Sequence, residues 1–236
     1  MALLPLLSGL GGSAQAEQKP IIIELYTSQG CSSCPPADAY LDELADQDDI
    51  IALTLPVDYW DYIGWKDTLA SPFHTTRQRQ YARQLGNRGI YTPQMVINGR
   101  MDEVGSRRRQ VMQAIKNAKP ADSVKIDVQE ASDGSLAVSL KPAAHDAVSK
   151  SRVWFVQFDD RHSVKIGRGE NSGRTVDYIN VVRQWDDLGA WNGEMQDFTI
   201  PKDMISGTAD GCVVFVQDTK SGAILGAWVM RLPPVS

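Results

Sequence analysis

A chain of 236 residues with 42% hydrophobic and 22% charged content is composed like a soluble globular protein, with enough apolar residues for one large core or two modest ones. Its formal net charge of −5 supplies no basic stripe for nucleic acid, and no apolar run after the N-terminus reaches the roughly 18 residues that span a bilayer. Nucleic-acid partners and integral membrane segments are not expected, and nothing in the composition calls for a cofactor.

Residues 1–16 read as a signal peptide. Ala2 to Leu10 is an apolar h-region and Ala14-Gln15-Ala16 an A-x-A cleavage site, although no Lys or Arg precedes the apolar run. The mature chain is expected to begin near Glu17 and to be periplasmic or secreted, where disulfides persist.

Ile21 to Tyr26 is β-branched and aromatic, Thr27 to Gly30 a polar turn, and Cys31-Ser32-Ser33-Cys34-Pro35-Pro36 the opening of a helix. Two cysteines separated by two residues bring their sulfurs within bonding reach, and a helix mouth is where free N–H groups stabilise a thiolate. A C-x-x-C opening a βαβ pattern is a redox signature of the thioredoxin type. The attacking role falls to Cys31, expected to be exposed, and the resolving role to Cys34. The competing reading is a permanent staple, yet so short a loop removes little unfolded-chain entropy. Hydroxyls of Ser32 and Ser33 can donate to a thiolate, which lowers the Cys31 pKa and makes the disulfide more oxidising. Glu24 is a candidate proton relay, or an ordinary strand residue facing the polar side.

Pro36 to Ala45 continues the helix, with Ala37, Tyr40, Leu41 and Leu44 on one face and the acids on the other. Ile50 to Asp58 is a nearly continuous apolar run, as in a central parallel strand buried on both faces. The aromatic segment that follows holds Tyr59, Trp60 and Trp65, candidate substrate-binding residues or the cap of an insertion. A helical stretch runs from Phe73 to Leu85. Thr92-Pro93 then precedes a short strand closed by the hairpin turn Asn98-Gly99, and Ser106 is placed as the cap of a last helix to about Asn117.

From Ser123 the pattern changes to short period-2 strands with almost no helix. They run from Val124 to Glu130, Ser135 to Leu140, Arg152 to Phe158, Val164 to Ile166, Thr175 to Val182, Met195 to Ile200, Cys212 to Gln217 and Ile224 to Met230. Such strands argue a β-sandwich. The expected fold class is therefore α/β plus all-β: a thioredoxin-like domain at 17–119 followed by a β-sandwich-like domain at 120–236. Gly169 to Arg174 reads as a hairpin loop, and Cys212 as a buried free thiol.

Thr-Pro ahead of an apolar strand with Asn-Gly closing a hairpin resembles the cis-proline strand of thioredoxin and glutaredoxin proteins. That resemblance implies that Thr92 and Pro93 face Cys31 and pair with substrate backbone. More widely, Glu24 to Asp38, Val57-Asp58-Tyr59-Trp60-Asp61, Gly169 to Arg174 and Asn180-Val181-Val182-Arg183 resemble an exported bacterial thioredoxin-like family of uncharacterised function, domain of unknown function family 1223. The resemblance covers both predicted domains, and the family brings no established reaction with it.

Three functions share the resulting cleft. The first is a thiol-disulfide oxidoreductase acting on protein thiols or disulfides through Cys31 and Cys34, with Thr92, Pro93 and Glu24 in support. The second is a copper-binding chaperone of thioredoxin fold, for which only His74, His145 and His162 are available as a third ligand. The third is a non-catalytic module that binds through Tyr59 to Trp65 and the Gly169 to Arg174 loop. No G-x-S-x-G motif and no phosphate-binding glycine loop supports a hydrolase or nucleotide site.

Overall fold

Strand β1 (Ile21–Thr27) and strand β2 (Ile50–Pro56) are buried at every position and pair in parallel, Ile21 opposite Ile50. The continuous apolar runs have this cause: helices or strands cover both faces. Helix α1 (Pro35–Ala45) makes the crossover. The structure is a computed structural model and describes residues 20–142 and 150–232; the expected signal peptide at 1–16 and His145 lie outside the described residues.

After a short 3-10 turn at Asp61–Ile63 comes α2 (Pro72–Leu85), entered through Ser71, whose hydroxyl accepts from the Phe73 N–H. β3 (Gln94–Ile97) then runs antiparallel to β1 and pairs with β4 (Met101–Val104). Asn98 and Gly99 take the left-handed conformations that their hairpin turn requires. Helix α3 (Arg108–Asn117) follows. Arg107 is its N-cap and no side chain bonds the first turn, so Ser106 does not act as the expected cap.

The remaining strands are β5 (Val124–Glu130), β6 (Leu136–Pro142), β7 (Ser151–Lys165), β8 (Thr175–Trp191), β9 (Gln196–Ile200), β10 (Gly211–Asp218) and β11 (Ile224–Arg231). Two segments expected as separate strands, at Arg152 to Phe158 and Val164 to Ile166, are one strand, β7. It pairs along its length with the slightly longer β8, with register shifts near Trp154 and Phe158.

The result is a mixed α/β fold with one large, mostly β sheet and few helices. Eight strands lie in the order β11-β10-β7-β8-β2-β1-β3-β4, and β5-β6-β9 form a second sheet. The large sheet therefore runs through the position near residue 120 where a break between two domains is expected. At the seam, β8 joins β2 through a single parallel pair, Thr54 with Val181. The Thr54 hydroxyl donates to the Ile179 carbonyl at 2.6 Å, and the Asn180 amide to the Ala52 carbonyl at 2.8 Å.

A sandwich is present in part, and one of its two layers belongs to the large sheet. Val153, Phe155, Cys212, Val214 and Val216 face Leu136, Val138, Leu140 and Ile200 of the smaller sheet. The alternate residues Val156, Phe158, Val213 and Phe215 share the opposite core with Tyr26, Leu53, Leu55 and Tyr81. α1 and α3 cover the other side of β1, packing Leu41, Leu44, Val111 and Ile115 on Ile23, Leu25 and Ile97. Cys212 is a free cysteine, fully buried, and burial pushes its thiol up to about 12.

Candidate functional site

Cys31 and Cys34 are joined as a disulfide, their Cα atoms 5.4 Å apart. The turn that presents them is bonded by its own backbone, Cys31 N–H to the Ser28 carbonyl and Cys34 N–H to the Cys31 carbonyl. Cys34 is the N-cap of α1, with prolines at the first helical positions. Pro35 and Pro36 carry no N–H, and the Ala37 and Asp38 N–H groups bond back to the Cys34 carbonyl. The helix mouth thus offers a thiolate fewer free donors than a C-x-x-C usually meets. A donor within reach is Ser33, whose hydroxyl lies 3.4 Å from Cys31 Sγ.

Cys31 is 1% exposed, which corrects the expectation of an exposed attacking sulfur. Gly30 allows the covering segment to approach: a Cβ there would stand 3.0 Å from the Cβ of Trp60 and 3.1 Å from Cδ1 of Ile63. Trp60 donates its indole N–H to the Thr92 hydroxyl at 2.8 Å, and Tyr62 stacks on its ring. The Thr92–Pro93 bond is cis. Trp60 thereby bridges the Cys31 turn to the Thr92-Pro93 loop and brings together three of the residues singled out by sequence. Trp65, half-buried like Trp60, donates to Gln29 Oε1 at 2.8 Å. The Tyr59 hydroxyl is buried, and burial raises its pKa to about 12.

Glu24 stands apart from this group. Its carboxylate takes Arg77 Nε at 2.6 Å, Arg77 Nη2 at 3.1 Å and the Tyr81 hydroxyl at 2.5 Å, all buried. Burial alone would lower the Arg77 pKa, but the adjacent Glu24 carboxylate holds it above its ordinary value. Arg77 also lies 4.1 Å from the Trp185 ring centre and donates to Gln217. These contacts make Glu24 part of a core ion pair that ties β1 to α2 and β10.

The buried carboxyl in the first turn of the helix that Cys34 caps is Asp38, which the helical pattern assigns to the polar face. It is 4% exposed, follows Cys34 by one helical turn and so shares its face. Neither of its oxygens has a hydrogen-bond partner of good geometry, although the Thr27 hydroxyl is close enough to temper its charge. Burial first, and then repulsion from Asp67, raise its pKa to about 8. Asp67, buried in turn, accepts the Gln29 N–H at 2.7 Å and the Leu69 N–H at 2.9 Å. Burial followed by these two carboxylates raises the Tyr178 phenol as well, so all three groups share one enclosed region.

Asn171, from the loop between β7 and β8, completes the site by donating to the Gln29 and Cys31 carbonyls at 3.0 and 2.8 Å. As for a third copper ligand, His74 is buried with Nδ1 on the Pro56 carbonyl at 2.8 Å, and burial lowers its pKa to about 4. His162 bonds Asp159. Among the described residues no three of His, Cys, Asp and Glu gather into a metal-binding group, and no helix is long and apolar enough to cross a membrane.

No curated protein matches the chain. A crystallised protein of Agrobacterium tumefaciens, solved in a structural genomics programme, is 30% identical over 92% of this chain and 96% of its own, with a TM-score of 0.78. HBP35 of Porphyromonas gingivalis is similar in fold, with a TM-score of 0.59 over 91% of this chain and 76% of its own at 13% identity. The profile of a family described as protein of unknown function (DUF1223) matches residues 22–217, the span that holds the cysteine pair, the aromatic segment and the Asn171 loop, and the chain belongs to that family.

Proposed function

We propose that the protein is an exported thiol-disulfide oxidoreductase of thioredoxin type that acts on protein thiols or disulfides in the periplasm or outside the cell. The observation that carries the reading is the Cys31–Cys34 disulfide at the mouth of α1, with a hydroxyl on one sulfur and an unpartnered buried carboxyl one turn beyond the other. The parallel β1-α1-β2 unit, with β3 antiparallel to β1, supports the thioredoxin-like assignment of the first half.

In the oxidising direction, a partner thiolate attacks Cys31 Sγ and the Cys31–Cys34 bond breaks. Cys34 leaves with the electron pair of that bond and takes up a proton. Asp38, with its pKa raised to about 8, holds that proton at neutral pH and releases it to Cys34. A second partner thiol then displaces Cys31, leaving the partner oxidised and both cysteines reduced. In reverse, the Asp38 carboxylate accepts the Cys34 proton so that the thiolate resolves the mixed disulfide. The Ser33 hydroxyl stabilises the Cys31 thiolate, and the Trp60 platform beside Thr92 receives the partner chain.

The test is trapping. Cys34→Ser, expressed with its leader in an exporting bacterium, is expected to accumulate disulfide-linked complexes on non-reducing gels, and Cys31→Ser is not. Absence of adducts from both variants contradicts the reading.

A further inference from the structure

Exchange requires a thiolate to reach Cys31 Sγ along the S–S axis, yet Cys31 is 1% exposed and Cys34 fully buried. What covers Cys31 therefore governs the reaction. Two segments border it. The aromatic segment packs Trp60 and Ile63 on Gly30 and is anchored to Thr92. The loop from Ile166 to Arg174 is bonded largely to itself. The Ile166 N–H donates to the Arg174 carbonyl, Gly173 to Ile166, Ser172 to Gly169 and Arg174 to Asn171.

Residues 167–170 and 172–174 of this loop are exposed. Asn171 is not: at 1% exposure it reaches inward, and one amide nitrogen serves the carbonyls of both Gln29 and Cys31. Its oxygen takes Arg174 Nη1 at 3.3 Å, which fixes the orientation of the amide. The other holds are apolar: Ile166, at the hinge end of the loop, is buried with Leu69 and Tyr178, and Gly167 and Gly169 approach Trp65. A loop so closed on itself can swing as a unit about its strand ends once this side chain lets go.

We propose that Asn171 is the latch of a gate over Cys31, and that the β7–β8 loop decides which thiols reach the disulfide. Small thiols react only as fast as the gate opens by itself, whereas a protein partner displaces the loop as it docks. The inference rests on the exchange reading and adds its access step. The amide suits the task because its two donors face two carbonyl oxygens. A carboxylate in its place has no donor and repels both, and on protonation regains one.

The experiment follows reduction of the Cys31–Cys34 bond by dithiothreitol in the mature chain, in the wild type, Asn171→Ala and Asn171→Asp, with thermal unfolding of each recorded. One dithiothreitol thiolate displaces Cys34 from Cys31, and its second thiol then releases Cys31, so two electrons pass and the reagent closes to its cyclic disulfide. Loss of the latch is expected to speed reduction about tenfold, as for one or two hydrogen bonds, without moving the equilibrium. Asn171→Asp should match Asn171→Ala at neutral pH. Its rate relative to wild type at the same pH should fall back toward one as the pH drops through the carboxylate range. That pH-dependent ratio keeps the test decisive if Asn171→Ala fails to fold.

A wild-type disulfide that already reacts at the rate of folded variants overturns the gate and leaves the exchange reading standing. So does an acceleration matched by an equal shift in equilibrium. A disulfide that resists dithiothreitol in all three proteins until they unfold overturns both.

Discussion

In the proposed exchange, Ser33 serves the Cys31 sulfur, 3.4 Å from its hydroxyl, and Asp38 the proton of Cys34. With Pro35 and Pro36 removing N–H donors from the helix mouth, the Ser33 hydroxyl carries more of the thiolate's stabilisation than it would beside an open helix end. Ser33→Ala is expected to raise the Cys31 thiol pKa by about one unit and to make the disulfide harder to reduce by roughly 30 mV. The pH dependence of Cys31 alkylation in the reduced protein checks this, and an unmoved profile counts against it. Asp38 acts on stability as well. Its folded pKa of about 8 lies above an unfolded value near 3.9, so between these limits the folded chain keeps a proton that the unfolded chain has lost. The stability from neutral Asp38 is complete below the unfolded pKa and is lost as the pH rises to about 8. Asp38→Asn should therefore flatten the pH profile of unfolding, with a gain on the order of a few kcal/mol at about pH 9 relative to about pH 4. Denaturant melts at the two values measure it. Cys31 and Cys34 were legible from spacing alone. Asp38 was not, because the helical pattern counts it with Asp42 and Glu43, while only the tertiary fold shows that the cover over α1 also closes over Asp38.

Between elements, the long-range polar contacts hold the site in place. Glu24 lies in a strand buried at all seven positions, and its partner Arg77 is supplied by α2, 53 residues away. No local pattern shows such a pairing, and a charge in an apolar strand reads equally as a relay or an outward-facing residue. Removing one partner leaves the other buried and uncompensated. Glu24→Gln is expected to cost about 3–5 kcal/mol, whereas Glu24→Gln with Arg77→Met should recover much of the loss. A double-mutant cycle by urea unfolding reads this directly; additive losses contradict it. The helices and strands themselves were legible where periodicity and turn chemistry agreed, as in α1, β2 and the Asn98-Gly99 hairpin. The join between β7's two expected pieces was not, since Asp159 to Ser163 is polar and at least partly exposed and only its pairing with β8 keeps it a strand.

Across the whole molecule, the change of pattern at residue 120 marks a change of element type within one continuous sheet. Val156, Phe158, Val213 and Phe215 from the second half fill the core against Tyr26, Leu53 and Leu55 of the first. A fragment ending at residue 119 would expose that face of β1 and β2, and is expected to show no cooperative thermal transition; a sharp melt from the fragment contradicts this. The period-2 strands were readable, but whether they pair among themselves or extend an existing sheet depends on the short β2–β8 seam at Thr54 and Val181 and its two side-chain hydrogen bonds, which carry no local signature. The same seam lets a loop of the second half reach the cysteines of the first, so the cover of the site belongs to the complete chain.

The central claim is that Cys31 and Cys34 exchange electrons with partners, as opposed to stapling the turn. Equilibration of the purified wild-type protein in graded glutathione and dithiothreitol buffers tests it most directly, with the thiols counted by alkylation and the fold followed by circular dichroism. The account predicts one reversible two-electron transition above about −300 mV, the region of labile and catalytic pairs, with the fold kept on both sides and Cys212 protected throughout. A disulfide that is reduced only below about −300 mV, or whose reduction unfolds the chain, would contradict it.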